Sequence, residues 1–445
     1  ASLASIMALR MIGLFMVLPV FSLYTRQLSG VTPLLLGLAM GVYGLSQALL
    51  QIPFGALSDR IGRKPVILFG LILFAAGSLL AASAHSITMM IAGRALQGAG
   101  AIGSTILAMI ADLTREDQRT KSMAITGMTI GFSFSLAMVL GPLLIKWMAV
   151  SGLFITAACF AIVGMVLLFT AAPTPRQLRW HGDTEPELKS FVKLLINPDL
   201  AKLNSGIFML HAIFTASFIV IPISLYHFAE LPTDQQWSMY LPTLLAGFIF
   251  SLVCIGMAER KRQVKPYFLG GILMLALAEA LLWGTPESPY LAGAGLALFF
   301  AGFSLLEAFL PSLVSRTAPA ARKGTAMGIY SCSQFSGIFV GGLLGGWLYG
   351  QYSFTGVYLF CIALAFIWFT LAYRMQPPRY LVTKMLRLPV NQSAEWEMIT
   401  TKLQIIPGVV EVTLVAEDNM VYLKMERGTA EHPDFIRLQA QLETN

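Results

Sequence analysis

The stretch 55-GALSDRIGRKP-65 decides how the rest of the chain is read. It sets Asp59, Arg60, Arg63 and Lys64 within six positions, with glycines at 55 and 62, between two apolar runs (Thr32–Leu57 and Val66–Ala84). Only 12% of the 445 residues are charged, whereas 56% are hydrophobic. A soluble domain carries about a quarter of its residues as charges and has no means of covering so much apolar surface. A helix needs about 20 apolar residues to cross ~30 Å of hydrocarbon. The chain up to residue 375 divides into twelve such segments: 3–29, 33–58, 65–84, 88–114, 120–149, 152–171, 200–228, 236–258, 264–283, 288–316, 324–352 and 354–375. They are too long and too numerous for barrel strands, which alternate over ~10 residues. The fold class expected is all-α membrane, with the quoted stretch as the turn between spans 2 and 3.

Lysine and arginine orient the spans. One set of loops carries Arg60, Arg63 and Lys64; Arg115, Arg119 and Lys121; Arg176, Arg179, Lys189, Lys193 and Lys202; Arg260, Lys261, Arg262 and Lys265; and Arg316, Arg322 and Lys323. Arg374 and Arg379 follow the last span, while the opposite loops offer little beyond Arg26 and Lys146. By the positive-inside rule the basic loops and both termini are cytoplasmic. The net charge of +7 is thus a topology and lipid-contact signal and gives no reason to expect nucleic acid. The cysteines, Cys159, Cys254, Cys332 and Cys361, all fall inside spans with no paired motif, so neither a disulfide framework nor a metal site is indicated. The chain opens directly into its first span, with no initiator Met and no cleavable signal pattern, which leaves room for residues upstream.

Spans 1–6 and 7–12 read as a duplication with an offset near 200: Gly141 answers to Gly341 and Trp147 to Trp347, and one residue further on Gly55, Lys64 and Pro65 answer to Gly256, Lys265 and Pro266. Parallel repeats of this kind build a site at the interface of two bundles near the bilayer midplane. The domains expected are a six-helix bundle over 1–172, a cytoplasmic linker over 173–199, a second bundle over 200–377 and a tail over 378–445. In the linker, Leu188, Phe191, Val192 and Leu195 form an apolar face opposite Lys189 and Lys193. That pattern suits a helix lying at the membrane surface and equally a plain linker helix. After Pro377-Pro378 the composition becomes that of a small soluble α+β domain, with strands at 380–388, 409–415 and 421–425 and helices at 395–403 and 433–442. The chain stops where a fourth strand would complete a ferredoxin-like fold. Its IPGVVEVTL segment (406–414) is similar to heavy-metal-associated domains, but the tail has no cysteine, which excludes metal binding through thiolates. A regulatory ligand or self-association remains for it.

Asp59 lies where its own helix dipole disfavours an anion, and Lys64 stands at the wrong helix end for a cation. Both need partners elsewhere: Asp112 for the cations, Arg115 or a helix N-terminus of the other half for Asp59. Arg60 reads as a solvated charge, Gly62 permits a tight turn, and Gly55 lets a neighbouring helix come close.

At this point the sequence resembles a known family. GALSDRIGRKPVIL (55–68) matches motif A of the major facilitator superfamily at every specified position. RALQG (94–98), with Arg94, Gln97 and Gly98, looks like motif B. GLFMVLPVF (13–21) resembles the span 1 motif of proton-coupled drug exporters. AMVLGPLL (137–144), with Gly141 and Pro142, resembles the antiporter motif, although Ala137 replaces its first glycine and the trailing glycine pair is missing. The resemblance implies two six-helix bundles, drug:proton antiporter type, and a bacterial inner-membrane location. It also implies that the motif A aspartate, Asp59, latches onto the start of span 11 near Gly324–Thr325 in one transport state. Arg63 would join an acidic residue at the end of span 4, here Asp112, and Arg94 would take part in proton coupling. The second-half counterpart, 256-GMAERKRQVKP-266, lacks both the Asp and the turn glycine, so the latch would be one-sided.

Ionisable residues inside spans are functional candidates. Arg94 is the strongest of them, with a structural arginine held by carbonyls of span 1 as the lesser alternative, and Arg10 has the length to snorkel to the surface. His211 and Glu307 are the protonatable groups of the second half, and Glu279, nearer the outer end of span 9, ranks below them. Span 1 lacks the acid that several drug exporters carry there. A cavity between spans 1, 4, 7 and 10 would be lined by Phe15, Met16, Phe208, Phe214, Phe303 and Phe309, a lining that suits a lipophilic solute. No phosphate-binding loop and no catalytic constellation occur. The expectation is a non-enzymatic secondary transporter without cofactors, using the proton gradient to export a small amphipathic compound. A uniporter or importer of the same fold, or a transporter-like sensor signalling through its tail, are the alternatives.

Overall fold

The computed structural model describes residues 2–114, 116–173, 188–284, 287–319, 322–376, 381–388, 396–415, 420–426, 429, 432–433 and 435–437. Arg115, most of the linker and the end of the expected 433–442 helix lie outside these residues. The chain divides into two compact units: Ala1–Leu178 with Asn204–Leu310 and Tyr330–Met375, and Arg179–Leu203 with Pro311–Ile329 and Gln376–Asn445.

Among the described residues eleven helices are long and apolar enough to cross a membrane. Span 1 is α1 (Ser2–Phe15) followed by α2 (Leu18–Tyr24); spans 2 and 3 are α3 (Pro33–Ile61) and α4 (Arg63–Ala82). Span 4 is α5 (Ile87–Ala99) followed by α6 (Gly103–Leu113), and spans 5 and 6 are α7 (Glu116–Leu144) and α8 (Val150–Thr170). After the short α9 (Leu188–Leu195), α10 (Pro198–His227), α11 (Trp237–Lys261), α12 (Val264–Gly284) and α13 (Pro289–Thr317) form spans 7 to 10. The last helix, α14 (Lys323–Tyr373), has 51 residues. At ~1.5 Å per residue it would run more than twice the ~30 Å hydrocarbon thickness. Ser353 breaks it, with φ 55° and ψ −152°, so that it supplies spans 11 and 12. Twelve crossings result, with the last boundary where the hydropathy pattern put it.

Local chemistry sets the ends. The side chains of Thr32 and Ser86 accept the amides of Leu35 and Met89 and so cap α3 and α5. Gly62, at φ +98°, makes the turn between α3 and α4, a backbone region that disfavours other residues. The second half has no glycine there; Arg262 takes the left-handed conformation instead, at φ 53°. Gly55, expected to admit a close helix, would have only Ser104 Oγ near an added Cβ, at 3.7 Å, an ordinary contact.

The duplication is visible as repeated contacts. An added Cβ on Gly141 would lie 3.0 Å from the Met16 carbonyl carbon, and one on Gly341 2.6 Å from Ala212 Cα. Span 5 thus packs on span 1 as span 11 packs on span 7. Spans 2 and 11 meet directly. An added Cβ on Gly37 would lie 2.7 Å from Gly346 Cα, and one on Gly41 2.7 Å from the Phe339 carbonyl. Gly37 is about 30 Å along α3 from Asp59 at ~1.5 Å per residue, so this contact is remote from the basic turns.

In the second unit β1 (Leu381–Arg387), α15 (Trp396–Ile405), β2 (Val409–Val415) and β3 (Met420–Glu426) follow in the expected β-α-β-β order. The sheet is antiparallel, in order β1-β3-β2. Leu386, Trp396, Leu403, Val421, Leu423 and Phe435 fill its core. Gly408, at φ +90°, enters β2 against Thr429. Of the expected apolar face of α9, Val192 and Leu195 are exposed and Leu194 is buried; the side chains of Leu188 and Phe191 lie outside the described residues.

Candidate functional site

At the turn after α3, Arg63 gathers the charges. Its Nε donates to Asp112 Oδ2 at 2.9 Å and its Nη1 to Ser58 Oγ at 2.7 Å and to Asp59 Oδ1. Arg63 and Asp112 are 7% and 9% exposed, Asp59 26%. Asp59 therefore finds a cation four residues on, a local partner that the helix-dipole argument placed elsewhere. Lys64 was expected to turn to Asp112; its Nζ donates instead to the Ala172 carbonyl at 2.7 Å, at the C-terminal end of span 6. There the helix dipole favours a cation. Lys265 does the same to Tyr373 at 2.8 Å, after span 12. Both members of this pair stand 201 residues further along. Arg60 is exposed.

The interior of the first half corrects two expectations. Arg10 does not snorkel: it is buried, and Nη2 donates to Tyr43 Oη at 3.1 Å, Gln47 Oε1 at 2.9 Å and the Gly100 carbonyl at 2.9 Å. At the break between α5 and α6 that carbonyl accepts the Ile102 amide at 2.9 Å and takes the guanidinium as a second donor. Arg94 is held by span 2 rather than by span 1 carbonyls. Its Nε donates to Ala39 O at 3.4 Å and its guanidinium lies over the rings of Tyr43, at 5.2 Å, and Phe21, at 5.8 Å. Nη1 donates to Gln97 Oε1 at 2.8 Å, and Gln97 passes the chain to Ser78 Oγ at 2.8 Å. An added Cβ on Gly98 would meet Tyr43 Cα at 2.9 Å, so this glycine lets the motif reach span 2. Pro142 is buried inside α7 beside Gly141.

In the second half the fold brings His211 and Glu307 together. His211 Nε2 is 3.9 Å from Glu307 Oε2. Gln334 of span 11 sits between them, its Nε2 2.9 Å from His211 Nε2 and 3.3 Å from Glu307 Oε1. His211 Nδ1 is 3.3 Å from the Ile207 carbonyl. The histidine is 8% exposed and the glutamate 38%. Glu279 is fully buried and accepts Ser217 Oγ at 2.5 Å. Sequence reasoning missed Gln334; its signal was the polar run 331-SCSQFS-336 inside an apolar span.

An aromatic wall adjoins the cluster. Phe134 of span 5 stacks on Phe303 at 5.8 Å and contacts Phe15 at 5.1 Å and Phe214 at 5.7 Å. Phe303 and Phe214 lie 5.7 and 6.4 Å from the His211 ring. Of the expected lining, Phe15, Phe214 and Phe303 meet here, joined by the unforeseen Phe134. Met16 and Phe309 are buried, and the backbone of Phe208 packs on Gly337.

In the second unit, Lys424 of β3 is buried and donates to the carbonyls of Arg316, at 3.1 Å, and Ala318, at the C-terminal end of α13. Burial pushes its ammonium below the usual lysine range, and Glu411 at 3.6 Å opposes that shift.

A family model described as Major Facilitator Superfamily matches residues 3–341 and 257–402. The chain is 42% identical over 424 residues to the inner membrane transport protein YajR of Escherichia coli (strain K12), covering 95% of this chain and 93% of that one. It is 25% identical over 344 residues to the multidrug resistance protein MdtH of Aeromonas hydrophila, covering 75% and 82%. In fold it is similar to a bacterial homologue of the human lysosomal transporter Spinster, solved inward-facing and occupied, with a TM-score of 0.68 at 14% identity over 84% of this chain and 96% of that one. With the twelve crossings, the repeated contacts and the motif A turn, these matches show that the chain belongs to the major facilitator superfamily of membrane transporters.

Proposed function

We propose that the chain is a proton-coupled transporter that exports a small amphipathic compound by alternating access. The observation that carries this reading is the His211–Gln334–Glu307 cluster set against the aromatic wall. Two protonatable groups in hydrogen-bond contact through one amide provide a place for protons inside the bundle, where ionisable groups are costly without a function. The Phe15–Phe134–Phe214–Phe303 wall provides an apolar surface for the compound, in contact with both halves. The resistance named for one relative, MdtH, supports export of such compounds. The basic loops put the Asp59 turn on the cytoplasmic side. There, in the state opposite to the one held by the span 2–span 11 contact, Asp59 would latch onto the start of span 11.

The test uses vesicles containing the reconstituted protein, an internal pH dye and a panel of amphipathic dyes. Export coupled to protons predicts that a dye gradient moves the internal pH. Dye movement at constant pH would replace the reading with a uniporter. Absence of movement with every dye would favour the second reading, a sensor acting through the tail. Lys424 supports that one, because it joins the small sheet to the end of the helix on which Glu307 stands.

A further inference from the structure

We infer that Tyr43 is a positioning residue that couples the buried arginines of the first half to the contact between spans 2 and 11, so that those spans cannot part without disturbing Arg94. The inference rests on the alternating access proposed above and not on its protons. Arg10 and Arg94 are 1% and 3% exposed, and neither has a carboxylate partner among the described residues. A buried cation without a counter-charge is costly, so dipoles and ring faces must hold each one. Arg10 has Gln47, the Gly100 carbonyl and the Phe74 ring at 5.8 Å. Arg94 has Gln97, the Ala39 carbonyl and the Phe21 ring, also at 5.8 Å. Tyr43 is the side chain that serves both. Its hydroxyl oxygen accepts Arg10 Nη2 at 3.1 Å, and its ring lies under the Arg94 guanidinium at 5.2 Å.

Tyr43 also belongs to the seam between the halves. Along span 2, added Cβ atoms on Gly37, Gly41 and Gly44 would lie 2.7 Å from Gly346 Cα, 2.7 Å from the Phe339 carbonyl oxygen and 2.5 Å from the Phe335 carbonyl oxygen. The Cys332 Sγ contact with the Ala48 carbonyl, at 3.4 Å, continues the run. Beside Gly44, the Tyr43 ring meets the Phe335 ring at 6.4 Å, inclined at 69°. Tyr43 is 2% exposed. Span 4 approaches it closely, since a Cβ on Gly98 would lie 2.9 Å from Tyr43 Cα. One ring is thus held by span 4 of the first half and by span 11 of the second.

Parting spans 2 and 11 takes Phe335 away and frees the Tyr43 ring to turn. A cation–π contact needs the ring face to stay under the guanidinium, so opening the seam weakens the hold on Arg94. A contact stronger in one state favours that state, and the coupling is reciprocal. The stacked Arg94 therefore favours the closed seam by as much as the closed seam favours the stack. The bond from Arg10 fixes the hydroxyl end of the same ring, whereas the stack depends on the ring alone.

The experiment is a spin-label distance measurement on the full chain in lipid nanodiscs, with the native cysteines replaced. The labels go on Leu34→Cys and Gln351→Cys, next in sequence to Pro33 and Gly350, which pack together at the end of the seam. The fraction with separated labels reports the open seam. Arg94→Met should raise the open-to-closed ratio by about 2- to 30-fold, the range expected of a lost cation–π contact. In a Tyr43→Leu background the ratio should already be raised, and Arg94→Met should add nothing. In a Tyr43→Phe background, which keeps the ring, Arg94→Met should retain its effect. An Arg94→Met effect of equal size with Tyr43 and with Tyr43→Leu would overturn the inference, as would an unchanged ratio in Arg94→Met. A second measurement needs no change at Arg94. With 3-fluorotyrosine in place of Tyr43, the fluorine resonance should shift with the open fraction when Gly37→Val opens the seam. A resonance unmoved while the labels separate would overturn the inference and leave alternating access intact. If Gly37→Val does not separate the labels, this seam is not a gate and the inference falls with it.

Discussion

Arg63 is the residue on which the basic turn depends, because one guanidinium satisfies Ser58 and two carboxylates. Arg63→Ala leaves Asp112 buried and unpaired, and stranding a buried charge costs about 3–5 kcal/mol. Arg63→Ala should therefore lower the thermal midpoint in detergent by far more than Asp59→Asn, since Asp59 is 26% exposed. Asp59→Asn should still insert, but should shift cysteine accessibility between the two faces; unchanged labelling on both would remove the latch from the account. The motif made the turn legible, and the Arg63–Asp112 contact was among the pairings it implied. The local pairing of Asp59 with Arg63 was not legible, because a helix-dipole argument counts helix ends and not the reach of a side chain across a glycine turn. Arg10 escaped for a related reason. Its length suggested snorkelling, whereas a break in another span supplied the carbonyl that holds it inside.

Helix ends and helix contacts carry the next level. Lys64 and Lys265 cap spans 6 and 12 in the same way, and a cation at a helix C-terminus contributes about 0.3–1 kcal/mol. Lys64→Met and Lys265→Met should each reduce stability by about that amount, and by the sum when combined, since distant sites add. A double variant far below the sum in thermal unfolding would mean that the two caps are coupled. Spans 2 and 11 approach through glycine, leaving no room for a Cβ at Gly37 or Gly41. Gly37→Val should pry that end apart and raise cysteine labelling there; labelling as in the unaltered protein would show that the contact is not a closed gate. The spans were legible because hydrocarbon thickness imposes a length on each apolar run. The break at Ser353 came through as well, with Tyr352, Ser353 and Phe354 giving no glycine or proline to mark it. Gln334 was not found, since a neutral amide raises no flag in a search for charge.

Away from the basic turns, the spans of the two halves hold opposite charges. The first holds Arg10 and Arg94 with no carboxylate partner among the described residues, while the second holds Glu279 and the His211–Glu307 pair. On the proposed reading, proton traffic would fall to the second half, with the first supplying the fixed positive side. The small C-terminal sheet adds a link through Lys424, and Lys424→Met should increase hydrogen exchange across residues 311–319 if that contact holds the sheet to the end of α13; exchange equal to that of the unaltered protein would show the contact to be incidental. The most direct test is proton movement driven by an amphipathic dye in vesicles containing the Glu307→Gln protein. The account predicts that dye still moves down its own gradient while the internal pH stays constant. Dye-driven pH change of undiminished size in that variant would contradict it.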